Sequence, residues 1–400
     1  MIQQSLASSS PRKIRRRNSI AALQALFERG GLSRAELARH LGLNRSSSGS
    51  IVSELAANSL VREVTVEDQG RGKRAGRPGI LLELDPQAAF FVGAEIGVEH
   101  ITTLQINLLA DICSYRVEPF SGRSVSPEEA VQLAVIQAFD DLPARIAEGL
   151  EGFGLSVPGQ MDRNGRVQVA PLLGWRDVSL TELTKTTLNR DLPVLVDNDA
   201  NAFAFGESYR NAQSKTGVAL VLVIETGVGG GIVIDGKVFR GGHGLAGEIG
   251  HLAMQDGKEL ESILGLGHLL NSHKEGLDLP ETNLESFLSD VRDRVPSAVS
   301  IAEKWAHDLA NALVAACRVV DPNRVVLGGS VAALYPLVEA RVAHYIKEAQ
   351  AQTFPMPEIS VHDVAETGAA YGAACLLHRR FLSLENEDYA ENTIEKASED

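Results

Sequence analysis

The stretch Gly241–His251 reads GGHGLAGEIGH and places an acid and a histidine within a glycine-rich loop. Related stretches of glycine and polar residues are LVDNDANA over 195–202, TGVGGG over 226–231 and VPG over 157–159. Each of these polar residues alone is typical of an ordinary loop, and an Asn-Asp-Ala turn after a strand is a common helix cap. Together the four stretches form a specific pattern, whereas the glycine run alone would be a weak one.

Strand-like apolar runs alternate with helical patterns around these stretches. The runs are Phe90–Ile96, Phe153–Val157, Val194–Val196, Val218–Ile224 and Val325–Leu327. The longer helical patterns cover 128–150 and 298–320. This alternation predicts an α/β domain, with a joint before it at Asp85-Pro86.

Composition favours a protein of the reducing cytoplasm. The 400 residues allow two or three domains, and the three cysteines, Cys113, Cys317 and Cys375, are too few and too widely spaced for a disulfide framework or a zinc cluster. No stretch reaches the roughly 18 apolar residues of a membrane helix. The basic start is not followed by an apolar segment, so it is unlike a signal peptide. We therefore expect a cytoplasmic chain with no membrane partner.

Charge is distributed unevenly along the chain. Residues 1–80 hold 14 Lys and Arg against six Asp and Glu, a net charge of +8, whereas the remainder carries −22. The overall net charge of −14 argues against nucleic acid, but a basic module on an acidic body restores that possibility. The alternative is a solvated basic arm with no partner.

The basic segment has the pattern of a winged helix-turn-helix. Ile20, Leu23 and Leu26 recur at helical spacing and predict a first helix that ends near Gly30. A capping box at Ser33–Glu36 starts a second helix, and Asn44 can cap a third that runs to about Ala57. Leu60-Val61 and Ile80–Leu82 then form the two sides of a hairpin. Helix, tight turn, helix and hairpin indicate DNA binding, although such patterns also arise by chance and some winged helices bind protein.

Two groups of residues are candidates for contact with double-stranded operator DNA. The start of the third helix would meet base edges in the major groove. The hairpin tip would enter the minor groove, where negative potential attracts Arg. The candidates are Asn44, Arg45, Ser46, Ser47 and Ser50 on the helix and Arg71, Lys73, Arg74 and Arg77 on the tip. Ser48 and Gly49 stand where such helices usually carry an apolar residue and a better helix former.

The glycine-rich stretches resemble the ROK family of repressors and sugar kinases. The Ala-Gly-Glu-Ile-Gly-His sequence that ends at His251 matches the family signature, and a helix-turn-helix ahead of such a domain resembles the family's repressor branch. The resemblance implies an actin-like ATPase or hexokinase fold, with two α/β lobes around a cleft. The segments that we predict are a flexible basic arm at 1–17, a winged helix-turn-helix at 18–82, a first lobe at 88–197 completed by about 360–382, a second lobe at 198–359, and a disordered acidic tail at 383–400.

The resemblance also implies a sugar site. A hexose needs several fixed donors and acceptors to replace the water that it loses. The positions that match the family's sugar contacts are Asn198, Asp199, Glu248, His251 and Glu261. Asp199 matches the general base of the family's kinases, and we expect it to be vestigial, so that no residue is assigned a catalytic role.

The chain departs from the kinase pattern where phosphate would bind. Active members carry Asp-x-Gly-Gly-Thr on the first hairpin, whereas Glu95–Glu99 here reads EIGVE. Val98 adds a branched side chain, and Glu99 and Glu225 add negative charge where the loops should be bare. Gly328-Gly329 matches the adenosine-side loop and is interpreted as a remnant. We therefore expect no binding of ATP or magnesium.

Two further departures concern zinc and the ligand. Many members follow the signature with a Cys-x-Cys-Gly-x-x-Gly-Cys stretch, but LAMQDGK follows His251 here, so we expect no zinc and no other metal. Leu172 stands where relatives often have Asn, which would change the ligand that fits.

The sequence thus predicts a sugar-responsive transcriptional regulator, a repressor of carbohydrate metabolism genes modulated by a monosaccharide or a sugar phosphate. A homodimer or a dimer of dimers is expected, with Phe and Leu residues near 260–290 as candidates for the contact. One alternative is an active ATP-dependent sugar kinase with a regulatory DNA-binding arm. Another is a protein-interaction module whose basic arm contacts acidic partners.

Overall fold

The computed structural model describes residues 11–65, 80–162, 164–210, 216–254, 257–350, 355–362 and 365–383. The predicted acidic tail, apart from Ser383, and the cationic tip of the hairpin with Arg71, Lys73, Arg74 and Arg77 lie outside these ranges. Within them, no helix is long and apolar enough to cross a membrane.

The N-terminal module, comprising the described residues between 11 and 84, has the predicted order of elements. These elements are α1 (Pro11–Arg29), α2 (Arg34–Leu41), α3 (Arg45–Ala57), β1 (Val61–Thr65) and β2 (Ile80–Leu84). Ser33 and Glu36 form the predicted capping box, and the side chain of Asn44 accepts a hydrogen bond from the Ser47 amide at the start of α3. The strands pair in antiparallel register, with Val61 opposite Leu84, which confirms the hairpin.

The predicted flexible arm is wrong for residues 11–17, because α1 begins at Pro11. Proline is well suited to the first turn of a helix, where its missing amide proton is not needed. Arg15 then fixes this turn against α3, since its Nε lies 2.7 Å from Oε2 of Glu54 and its Nη2 donates to the Ser50 hydroxyl at 3.3 Å.

The first lobe is built on a five-stranded sheet with the order β10-β6-β3-β4-β5. Its elements are β3 (Phe90–Ile96), β4 (His100–Asn107), β5 (Ile112–Pro119), α4 (Pro127–Phe139), α5 (Ala144–Glu148), β6 (Leu150–Val157), β7 (Gln160–Met161), β8 (Arg166–Ala170), β9 (Trp175–Ser179), α6 (Leu180–Leu188) and β10 (Val194–Asn198). The helical pattern over 128–150 forms two helices rather than one, because Pro143 interrupts it. Strands β7, β8 and β9 form a separate small sheet.

The sheet of the second lobe has the order β13-β12-β11-β14-β15. Read from the opposite edge, this is the same succession of strands along the chain as in the first lobe. The elements of the second lobe are α7 (Asp199–Arg210), β11 (Val218–Ile224), β12 (Val228–Ile234), β13 (Lys237–Val238), α8 (Glu261–Leu264), α9 (Leu266–Leu277), α10 (Leu284–Arg292), α11 (Pro296–Val320), β14 (Arg324–Gly328), α12 (Tyr335–Ala349) and β15 (Glu358–Val361). In each sheet three antiparallel strands precede two parallel ones. The last helix, α13 (Gly368–Phe381), returns to the first lobe.

Helices α7 and α13 lie side by side between the two sheets and cross very closely. A Cβ atom on Gly206 of α7 would lie 2.9 Å from Cα of Gly372 on α13, and a Cβ on Gly372 would overlap the carbonyl oxygen of Ala202. Only glycine at these two positions lets the backbones approach so closely.

Several of the large apolar residues near 260–290 are buried inside the second lobe. Leu264, Leu269, Phe287 and Leu288 belong to its core, together with Trp305 of α11. Their apolar surface is therefore buried within one chain, whereas other leucines of this stretch are only half-buried. The contact between subunits stays a prediction.

Candidate functional site

The cleft between the lobes brings together all five residues predicted to contact sugar. Asn198 and Asp199 lie where β10 passes into α7, and Glu248 and His251 lie on the loop after β13. Glu261 opens α8 and completes the wall. The ends of several strands therefore converge on one cavity, as in other open α/β sheets.

Asn198 and Asp199 are held in place by the backbone around them. The Asn198 side chain accepts a hydrogen bond of 3.0 Å from the Asn201 amide, and so caps α7. Its Nδ2 donates to the carbonyl of Gly159 and to Oδ1 of Asp199, each at 3.0 Å. The same Oδ1 accepts a bond of 2.7 Å from the Ala200 amide. Two side chains are therefore fixed before any ligand arrives.

The carboxyl group of Asp199 is a proton acceptor of raised basicity. Burial is the main cause that raises its pKa to about 6, and the charges of Glu248 and Glu225 add to the effect. Burial also raises the pKa of Glu248. A carboxylate of this kind is a strong acceptor for a sugar hydroxyl.

His251 is oriented by an acid that sequence reasoning missed. Its Nδ1 lies 3.0 Å from Oε2 of Glu259, and its Nε2 lies 3.7 Å from Oε2 of Glu248. The hydrogen bond to Glu259 is the first cause that raises the pKa of His251. An isolated bridge pairs Ala253 with Glu259 and returns the chain past the histidine, a contact that no sequence pattern marks.

Glu261 also reaches the cleft, from the start of α8. Its Oε2 accepts a hydrogen bond of 3.3 Å from the Val228 amide, in the glycine-rich turn between β11 and β12. A Cβ on Gly227 would lie 2.8 Å from this oxygen and 2.8 Å from Cδ1 of Leu172. A side chain at residue 227 would therefore displace the ends of Glu261 and Leu172, which pack against the turn.

The loops that resemble phosphate loops are filled by their own side chains. The Thr226 hydroxyl donates a hydrogen bond of 2.8 Å to Glu99, which joins the two loops across the cleft. Glu225 accepts bonds of 2.6 Å from both the amide and the hydroxyl of Ser330, next to Gly328-Gly329. Burial raises the pKa of Glu225, and it raises the pKa of Glu95 further, with Asp199 adding to the latter shift.

The cleft is acidic as a whole. Of the described residues that line it, none is Lys or Arg. The ionisable ones are Glu95, Glu99, His100, Asp199, Glu225, Glu248, His251 and Glu261. Such a surface attracts neutral hydrogen-bond donors, such as hydroxyl groups, and repels anions.

The N-terminal module presents the candidate helix face to solvent. Asn44, Arg45, Ser46, Ser47 and Ser50 are all exposed at the start of α3. Ser48 is buried, and its hydroxyl has no hydrogen-bond partner. Two of the five candidates also have structural roles, since Asn44 caps α3 and Ser50 accepts a bond from Arg15.

Comparison with known proteins connects both parts of the chain to one family. The family model for the ROK family matches residues 91–380. A putative xylose repressor of Caldicellulosiruptor sp. is 29% identical over 283 residues, which are 69% of this chain and 69% of that protein. A glucokinase of Halalkalibacterium halodurans is 33% identical over 208 residues, which are 46% of this chain and 62% of the kinase.

A solved structure extends the likeness to the N-terminal module. The crystal structure of a ROK family transcriptional regulator, a homologue of the E. coli MLC protein, superposes with a TM-score of 0.73 at 19% identity. The superposition covers 92% of this chain and 98% of that one, and at this identity it shows a shared fold. Because the family model matches more than half of the chain and the two-lobed fold agrees with it, this chain belongs to the ROK family.

Proposed function

We propose that this chain is a transcriptional repressor whose hold on operator DNA is modulated by a sugar bound between its lobes. The observation that carries the proposal is the convergence of Asn198, Asp199, Glu248, His251 and Glu261 on one cleft, in a chain that also carries a helix-turn-helix. The name of the Caldicellulosiruptor relative, a putative xylose repressor, supports the same function.

The DNA contact follows from the exposed start of α3. Arg45 at this end can bond to guanine edges in the major groove, and a dimer would place two such helices on half-sites about 34–36 Å apart, or a multiple of that distance. Selection of binding sites from random duplex DNA by the full-length protein tests this part. An enriched sequence with two half-sites supports it, whereas equal binding to all sequences would exclude it.

The effector is an unphosphorylated monosaccharide rather than a sugar phosphate. Two like charges about 4 Å apart repel by about 1–4 kcal/mol between bulk water and a protein surface, and the cleft offers a phosphate group carboxylates without a compensating Lys or Arg among its described lining residues. Calorimetry with D-xylose, D-glucose and N-acetylglucosamine, and with glucose 6-phosphate and N-acetylglucosamine 6-phosphate, tests this step. We expect at least one neutral sugar to bind, and the matched phosphates to bind at least tenfold more weakly.

Catalysis is not part of the proposed function. Thr226 and Glu99 bridge the place where phosphate would lie, and Glu225 occupies the amide and hydroxyl of Ser330, so these residues do not fit a magnesium nucleotide. One observation favours the kinase alternative, because Asp199 with a pKa of about 6 could serve as a general base. A coupled assay with Mg-ATP and a hexose panel separates the two functions. Turnover that Asp199→Asn abolishes would establish the kinase.

The residues also do not fit the zinc ion of many family members. Cys113, Cys317 and Cys375 lie on β5, α11 and α13, and none of them lines the cleft. His251 is paired with Glu259 and Glu248, and three thiolates would be needed beside it for the usual closed site.

A further inference from the structure

One aromatic side chain of the N-terminal module touches both helices that run between the lobes. The ring of Phe27 on α1 stacks on Tyr209 of α7, with centroids 5.5 Å apart. It also packs against His378 of α13, with centroids 4.8 Å apart. Any change in the relative position of α7 and α13 must therefore alter the surface on which Phe27 rests.

Half-buried Tyr209 and fully buried His378 form a hydrogen-bonded pair. The Tyr209 hydroxyl lies 2.7 Å from Nδ1 of His378, and Nε2 of the same ring lies 2.9 Å from the carbonyl oxygen of Leu108. Because a carbonyl only accepts, Nε2 carries the proton and Nδ1 accepts from the tyrosine. Burial lowers the pKa of His378 to about 4, so the neutral ring keeps this arrangement near neutral pH.

Helix α7 connects this pair directly to the cleft. It begins at Asp199, and Tyr209 lies ten residues further along it, which corresponds to about 15 Å at 1.5 Å per residue. Asn198, another cleft residue, caps the same helix. A ligand that displaces Asn198 or Asp199 thus acts on the first turn of a helix whose last turn contacts α1.

The two helices are also attached to different lobes. Helix α7 packs on the second-lobe sheet, where a Cβ on Gly229 would lie 2.8 Å from Cβ of Ala200. Helix α13 packs on the first-lobe sheet, where a Cβ on Gly93 would lie 2.9 Å from Cβ of Ala374. A change in the angle between the lobes therefore moves α7 relative to α13. The close crossing at Gly206 and Gly372 is the point about which the two helices can rotate.

We propose that Tyr209, His378 and Phe27 form the joint that transmits sugar occupancy of the cleft to the DNA-binding module. This inference rests on the proposed function, since it needs a sugar that binds the cleft and alters DNA binding. Closure of the lobes around the sugar shifts Tyr209 relative to His378. Phe27 follows this shift, and α1 turns the recognition helix α3, to which Arg15 ties it, away from its half-site.

The test measures the effect of sugar on DNA binding separately from the affinity for sugar. Tyr209→Phe keeps the ring but removes the hydrogen bond to His378, and Phe27→Leu removes the stacked ring. The matched control is Tyr345→Phe, which removes a tyrosine hydrogen bond of 2.8 Å to Glu303, between α12 and α11. For each protein, the ratio of operator Kd with and without saturating sugar is compared with the calorimetric Kd for the sugar.

We expect Tyr209→Phe and Phe27→Leu to bind sugar within twofold of wild type while the operator ratio falls at least threefold. Tyr345→Phe should keep the wild-type ratio. Hydrogen exchange of residues 20–29 in the wild-type protein gives a measurement that needs no variant, and saturating sugar should change it. An unchanged operator ratio in both Tyr209→Phe and Phe27→Leu, or unchanged hydrogen exchange in α1, would overturn the proposed joint and leave the proposed function standing. A wild-type protein that binds none of the sugars would overturn the proposed function with it.

Discussion

Thr226 of the second lobe donates a hydrogen bond to Glu99 of the first, so one hydroxyl joins the lobes across the open end of the cleft. The two residues are 127 positions apart in the chain. By the family resemblance, these turns match the ones that face phosphate in the family's kinases. In the proposed function this bond takes the place of a phosphate contact, and we expect it to favour the closed arrangement of the lobes.

Loss of this bond should weaken sugar binding because it loosens the contact between the lobes, not because it removes a contact with the sugar. Thr226→Val removes the donor, and a hydrogen bond contributes about 0.5–1.5 kcal/mol, so we expect the sugar Kd to rise by about twofold to tenfold. Thr181→Val is the control, because its hydroxyl bonds to the carbonyl of Asn164 within the first lobe. Equal sugar affinities of the two variants in calorimetry would show that the bond does not hold the lobes.

Arg45 should determine base preference rather than general affinity for DNA. Arg45→Ala is expected to cost about 1–3 kcal/mol at the selected operator and to relax the choice of base at one position. The control is Arg123→Ala, which removes an exposed arginine from the first lobe. Anisotropy titrations with operator variants measure both effects. Uniform weakening on every sequence would mean that Arg45 meets phosphate instead of a base.

Asp199 should destabilise the native protein as the pH rises. Its pKa is raised from 3.8 to about 6, so the native state binds its proton more tightly than the unfolded state. The stability linked to this proton is complete below pH 3.8 and is lost as the pH rises through about 6. Asp199→Asn should therefore be more stable than wild type by about 1–3 kcal/mol at pH 8, and this advantage should shrink towards pH 4.

Urea unfolding at several pH values between 4 and 8 measures this difference. Asp191→Asn is the control for the loss of an exposed carboxylate, and its stability should follow that of the wild type. A lower free energy of unfolding for Asp199→Asn at pH 8 would contradict the argument.

Two glycine substitutions should have opposite effects on stability. A methyl group at Gly372 would overlap the Ala202 carbonyl, so Gly372→Ala should cost about 2–3 kcal/mol as α7 and α13 separate. A methyl group at Gly49 of α3 meets nothing within 4 Å, so Gly49→Ala should stabilise the protein by about 0.5–1 kcal/mol. Urea unfolding of both variants gives the free energies. Little or no loss in Gly372→Ala would show that the helices do not cross as closely as described.

Much of the fold and of the candidate site could be predicted from local sequence patterns. Helix caps such as Ser33 and Asn44 depend on neighbours within three residues, and the strands and glycine-rich turns are short continuous segments. The cleft residues Asn198, Asp199, Glu248 and His251 could be predicted for the same reason, because each stands inside a recognisable segment.

Contacts between distant segments could not be predicted in this way. Ser330 donates a hydrogen bond to Glu225, which lies 105 positions away in the chain. Tyr209 and His378, which form a hydrogen bond, are 169 positions apart. No periodicity or spacing encodes such pairs, since they exist only once the two sheets are placed around α7 and α13. The error at α1 has a related cause, because Arg15 is held by Glu54 of another helix.

The most direct test of the account is the operator affinity of the full-length protein as sugar is added. With the tightest-binding neutral sugar, wild-type affinity should fall at least tenfold, whereas Glu248→Ala should bind the operator normally and respond less than twofold. Glu281→Ala, which removes an exposed acid elsewhere in the second lobe, should respond like wild type. The account is contradicted if no neutral sugar changes the affinity for the operator, or if Glu248→Ala responds as strongly as the wild type.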